Sequence, residues 1–151
     1  MKGPHQLLLG LLVALFFEAT TAGFSLGVRD SIMIAHSFKG ERFGPAQKLH
    51  GATYTVDVEF SSPGLEPEVN WVVDIGAAGD ALSKVLSAYN FENLDELFPG
   101  ENTTTEFMCR KIHEGIAREC RNGESMEGFN GEVCVKLWES HKAWACYKAT
   151  V

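Results

Sequence analysis

A chain of 151 residues, 45% hydrophobic and 22% charged, has the size and composition of one globular domain with enough apolar side chain for a core. Its formal charge of -7 argues against a polyanion partner, because a nucleic-acid binder of this size carries a basic face that neutralises phosphates. DNA and RNA are therefore excluded as expected ligands.

The first stretch carries one positive charge at Lys2, an apolar run from Leu7 to Phe17, and small residues around Ala22. This is the pattern of a signal-peptide-like leader over residues 1–22, followed by a domain over 23–151. The run reaches only about half of the ~30 Å hydrocarbon core, so no membrane span is expected. A real leader implies the secretory pathway or a periplasm; a start site assigned too far upstream implies the cytoplasm.

From Phe24 the even positions Phe24, Leu26, Val28, Asp30, Ile32, Ile34, His36 and Phe38 are mostly apolar and the odd ones are mostly polar or small, a period of two that predicts a long strand. Beyond the glycine and proline of residues 39–48 the alternation resumes. His50, Ala52, Tyr54, Val56, Val58 and Phe60 share one face of a second strand, hairpinned to the first. SSPGLEPE reads as a loop, and Val69 to Ile75 as a short extended piece.

Ala77 to Ala88 has helical spacing of Leu82, Val85 and Leu86. Asn102 to Thr105 offer N-caps to a second helix with an apolar stripe of Phe107, Met108, Ile112, Ile116 and Cys120. His113, between Lys111 and Glu114, reads as a surface residue of that helix. After RNGESMEGFNG come two more strands, one through Val133, Val135 and Leu137 and one in AWACYKATV. The expected fold is α+β in the order ββααββ: an antiparallel four-stranded sheet with two helices on one face.

Cys109, Cys120, Cys134 and Cys146 are even in number and fit no zinc-knuckle spacing. Cys109 and Cys120 lie about 16 Å apart along one helix and cannot pair. Cys134 and Cys146 face each other across the last hairpin, either as a disulfide or, the reading preferred for all four, as buried free thiols.

His36 ends one strand and His50 begins its partner on the same face, which brings two imidazoles within metal-ligand reach; structural histidines are the alternative. Glu139 lies in a run flanked by Trp138 and Trp144 and needs a partner, either a backbone cap or the paired N–H groups of a ligand. His141 falls two residues further on.

The strand ending in His36, then LHGATYTVDVEF, VNWVVDIGAAGDAL, YNFENLDELFPGENTTTEF and VKLWESHKAWACY, resembles the 6-pyruvoyl-tetrahydropterin synthase and 6-carboxytetrahydropterin synthase family. The resemblance implies the tunnelling fold (T-fold) and self-association as a trimer or hexamer with pockets between subunits. It implies a pterin-type ligand and a Zn2+ cofactor. His36 and His50 match two zinc ligands, Thr104 and Thr105 match pterin-contacting positions, and Glu139 matches the carboxylate that grips the ring.

The departures fall on the chemical half of that pattern. The family's His-Gly-His is here His50, Gly51, Ala52, so the third imidazole is missing. The proton-transferring cysteine is matched by Ala46, and Asn90 and Phe91 fall where the family has Asp-His. His141 is the residue available as a replacement ligand or catalytic base, or else a turn residue facing solvent. The expected function is a divergent pterin-binding lyase; the alternative is a non-catalytic pterin-binding or structural oligomer.

Overall fold

The computed structural model describes residues 23–122, 126 and 128–151; the leader expected over residues 1–22 lies outside the described residues. Strand β1 (Phe24–His36) and strand β2 (His50–Ser62) form the long hairpin that alternation predicts. Their antiparallel register runs from Phe24 opposite Ser62 to His36 opposite His50, so the hairpin closes on the two histidines. The connection between them is a 3-10 segment, Glu41–Gln47, held by the Phe38 N–H donating to the Ala46 carbonyl at 3.0 Å.

Helix α1 (Ile75–Ser87) begins at Asp74, whose carboxylate accepts from the Ala77 N–H at 2.8 Å. The stretch leading into it is a turn and bends rather than the extended piece expected from its apolar residues. The Trp71 indole donates to Glu66 at 2.7 Å and Asp74 is committed as a cap, so these residues enter local bonds instead of a sheet. A two-residue strand, β3 (Glu92–Asn93), runs parallel to β1, and the single-turn helix α2 (Leu94–Leu97) follows.

Helix α3 (Thr105–Asn122) is capped by the Thr104 hydroxyl, which accepts from the Phe107 N–H at 3.3 Å. Strands β4 (Glu132–Ser140) and β5 (Ala143–Thr150) complete a sheet of order β3-β1-β2-β4-β5. Four long antiparallel strands are therefore as expected; the added edge strand is too short for any periodicity to announce.

The core lies between one sheet face and helices α1 and α3. Tyr54, Val56, Val58 and Phe60 of β2 and Val133, Val135 and Leu137 of β4 are fully buried there. Each such side chain stabilises the fold by about 1.5–3 kcal/mol relative to exposure, and Phe60→Ala is the kind of truncation that costs about 3–5 kcal/mol. Gly115 lets the two helices touch, since a Cβ there would sit 2.6 Å from Val85 Cγ1. On the opposite face Asp57 accepts from Arg29 and from the Trp138 indole, while the Lys136 ammonium lies over the Trp138 and Trp144 rings.

His113 and the cysteines also depart from what the sequence predicts. His113 is buried, because α3 turns it against β5: its Nε2–H donates to the Ala149 carbonyl at 3.2 Å and its ring meets Tyr147 edge-on. All four cysteines are unpaired thiols, but only Cys109 and Cys120 are buried, and Cys146 is exposed on β5 at the sheet edge. Among the described residues no helix is long and apolar enough to cross a membrane.

Candidate functional site

Alternation that buries Ile32 and Ile34 also buries His36, and it puts His50, Ala52 and Tyr54 on the same helix-covered face of β2. Glu139 continues the row Val133, Val135, Leu137 on β4, at the point where the β4–β5 register slips between Trp138 and Ser140. Such an irregularity releases one residue from the ladder and re-aims its side chain. The three side chains converge at one end of the sheet, with a ligand atom from each of His36, His50 and Glu139 within 4.8 Å of the others.

The imidazoles are oriented by backbone carbonyls. His36 Nδ1–H points at the Thr103 carbonyl at 3.2 Å, and His50 Nδ1–H at the Lys48 carbonyl at 2.8 Å. A carbonyl only accepts, so these two contacts select the tautomer with the proton on Nδ1, which presents a bare Nε2 lone pair; the Thr103 and Tyr54 hydroxyls near His36 Nδ1 are then acceptors or turn aside. His36 Nε2 is sealed from solvent and has no hydrogen-bond partner. A buried, unpartnered acceptor costs about 1–3 kcal/mol, and a metal ion removes that cost. Burial, reinforced by the neighbouring His50, lowers the His36 pKa, which keeps the neutral, ligating form.

The donor set therefore fits a divalent metal ion. Four-coordinate ligands at about 2.0–2.1 Å stand about 3.4 Å apart, so the three groups need to draw in by roughly an ångström. Ala52, where a third imidazole would project from the same strand face, is a half-buried methyl beside Ile34. The carboxylate of Glu139 is the third donor present.

Glu139 Oε2 accepts from the Thr105 hydroxyl at 2.7 Å, which places the carboxylate at the first turn of α3, where the helix dipole favours negative charge. Thr104 is occupied as the cap of that helix. His141 lies apart, exposed in the β4–β5 turn, and faces a 440 Å³ depression with Arg29, Thr53, Thr55 and Trp138 on the other sheet face. Phe91 is exposed at the edge, with positive φ, and its N–H donates to the Met33 carbonyl.

Sequence reasoning missed the residues that brace this end. Thr103 is fully buried and aims both its carbonyl and its hydroxyl at His36. Asp95 accepts from the backbone N–H and hydroxyl of Ser37, at 3.0 and 2.6 Å, and so pins the chain directly after His36. Asn102 exchanges two hydrogen bonds with the Lys39 backbone. The polar run Asn102 to Thr105 was a signal for this, but its spacing indicated only a helix cap.

Together these features define an α+β protein with helices on one sheet face and an imidazole-carboxylate site at a strand end. The sequence profile of 6-pyruvoyl tetrahydropterin synthase matches residues 25–150, and the chain belongs to that family. Its fold is that of the 6-pyruvoyl tetrahydropterin synthase of Caenorhabditis elegans, at 22% identity and a TM-score of 0.70, covering 85% of this chain and 97% of that one. The Plasmodium falciparum enzyme is similar at 14% identity and TM-score 0.70, covering 85% and 99%. The Plasmodium vivax enzyme follows at 14% and 0.68, covering 86% and 99%. No curated protein matches the chain.

Proposed function

We propose that the chain binds a reduced pterin at the His36–His50–Glu139 end of the sheet and, with a divalent metal ion held there, acts as a lyase on the pterin side chain. The convergence of the sealed His36 Nε2 with His50 and Glu139 carries this reading. His36 and His50 hold the metal, Zn2+ by the nature of the donors, which when bound polarises a side-chain oxygen as a Lewis acid. Glu139 grips the ring through paired N–H groups, with Thr105 steadying its carboxylate and Thr104 presenting the helix start.

Ala46 and Phe91 offer no titratable group for proton transfer, and His141 lies on the other face. The non-catalytic alternative, a pterin-binding oligomer, rests on that observation. Self-association as a trimer or hexamer is supported by the exposed Phe24, Met33 and Trp144 side chains. Residues 1–22 act as a leader ahead of the domain 23–151 and send the chain into a secretory or periplasmic compartment; N-terminal sequencing that finds Met1 on the exported chain removes this part.

Calorimetry with 7,8-dihydroneopterin tests the site. Glu139→Ala is expected to lower affinity by about one to two powers of ten, from loss of a charge-assisted contact of about 1.5–3 kcal/mol. A wild-type chain that takes up no pterin, with or without added Zn2+, refutes the reading.

A further inference from the structure

We infer that Glu139 is a metal ligand of this chain, standing in for the imidazole missing at Ala52, so that metal and pterin ring compete for one carboxylate. The inference rests on the pterin-site reading above and adds to it a second duty for the same side chain.

Three observations carry it. The ligand atoms of His36, His50 and Glu139 lie within 4.8 Å of one another, and theirs is the only such group of three among the described residues. Both imidazoles present the same nitrogen, Nε2, because Nδ1–H of each is committed to a carbonyl, and His36 Nε2 has no other partner. Two neutral imidazoles alone bind a divalent ion weakly, and the set needs a further donor, preferably an anionic one.

Glu139 supplies that donor from a position the fold has set with care. The β4–β5 irregularity frees it from the ladder, and Thr105 donates to one carboxylate oxygen and leaves the other for a metal ion. Of the four lone pairs on the Glu139 oxygens Thr105 takes one, which still leaves each oxygen a lone pair for the ring. Two parallel N–H bonds from an aminopyrimidinone use one lone pair on each oxygen along the same edge of the carboxylate, and an ion seated on that edge displaces one of the two. Ring binding and metal binding must therefore oppose each other here. A chain with a third imidazole would not couple them, since its carboxylate would be spare.

The test uses the full chain, with Co2+ as a spectroscopic probe, Zn2+ by competition, and 7,8-dihydroneopterin as the pterin. Glu139→Gln keeps the shape and an acceptor for Thr105 but loses the charge, and thermal unfolding checks that it folds. Metal affinity is expected to fall at least tenfold in Glu139→Gln and to recover in Glu139→Gln combined with Ala52→His. In the wild type, saturating pterin is expected to weaken Co2+ binding and shift its absorption, and in Ala52→His it is expected to leave both unchanged. Unchanged metal affinity in Glu139→Gln overturns the inference, and if pterin affinity falls in the same variant the pterin site survives without it. Loss of metal affinity with no pterin binding in the wild type sustains the ligand role and instead removes the pterin reading and the competition with it.

Discussion

His36 and His113 are both buried imidazoles, yet the strand end and the helix-sheet seam treat them differently. At the seam, His113 donates through Nε2 to Ala149 and lays its ring against Tyr147, so its polar atom is spent on holding α3 to β5. At the strand end, His36 donates through Nδ1 to Thr103, and its Nε2 is left sealed and unpartnered among His50, Tyr54 and Phe38. Burial alone does not mark a functional histidine. The orphaned acceptor does, because a structure that served only stability would not retain that cost.

Exchanging the two residues in turn gives the largest expected effect. His36→Leu is expected to lower metal affinity by more than about a hundredfold, beyond the range seen on losing mere outer partners. In the metal-free chain the same change has two opposing effects, since it removes the unsatisfied Nε2 and leaves the buried Thr103 carbonyl without its donor, so the unfolding free energy should move by about 1 kcal/mol or less. His113→Ala should do the reverse, leaving metal affinity intact and costing about 1–3 kcal/mol of stability through the lost hydrogen bond and aromatic contact. Metal titration and denaturant unfolding of the pair decide it: a His36→Leu chain that keeps its metal breaks the comparison.

A smaller effect sharpens the contrast from the acid side. The folded His36 pKa lies below the ordinary value of 6.5, chiefly through burial, so below that pH the unfolded chain takes up its proton more readily than the folded one. His36 therefore favours the folded state above about pH 6.5, and that advantage shrinks as pH falls toward the folded pKa. In His36→Leu the acid limb of the stability profile should flatten, whereas in His113→Ala it should keep its slope. An unchanged acid limb in His36→Leu would refute the burial account.

The smallest expected effect lies at alkaline pH, on the α3 side of the comparison. Burial pushes the Cys109 thiol up to about 12 and the Cys120 thiol up to about 11, from an ordinary 9.0. Unfolded thiols lose their protons first, so the stability these two contribute is complete below pH 9 and is lost as pH rises toward 11–12. Denaturant melts of Cys109→Ala/Cys120→Ala should show a shallower decline above pH 9 than the wild type; an equal decline assigns it to other groups.

Much of this was legible in the sequence because alternation and helical spacing are local. The period of two from Phe24 and again from His50 set both strands and forced His36, His50 and Tyr54 onto one face. The stripe through Met108, Ile112 and Ile116 likewise set the buried side of α3. His113 escaped because polar neighbours in sequence say nothing about a strand packed over the helix. The Val69–Ile75 piece was misread because Asp74 caps a helix and Trp71 bonds to Glu66, both of which override an apolar run.

Sequence by itself determined the α+β order, the pairing of the two histidines, the missing imidazole at Ala52 and the family resemblance carried by the motifs, since each depends on residues close along the chain or on their type. Only the tertiary structure decided that Glu139 joins those histidines, that His141 lies on the opposite face, and that Thr103 fixes the His36 tautomer. Those facts turn on a register slip between β4 and β5 and on contacts spanning 34 or more residues, such as Thr105 to Glu139. A one-residue displacement in a strand re-aims a side chain, and no local pattern records it.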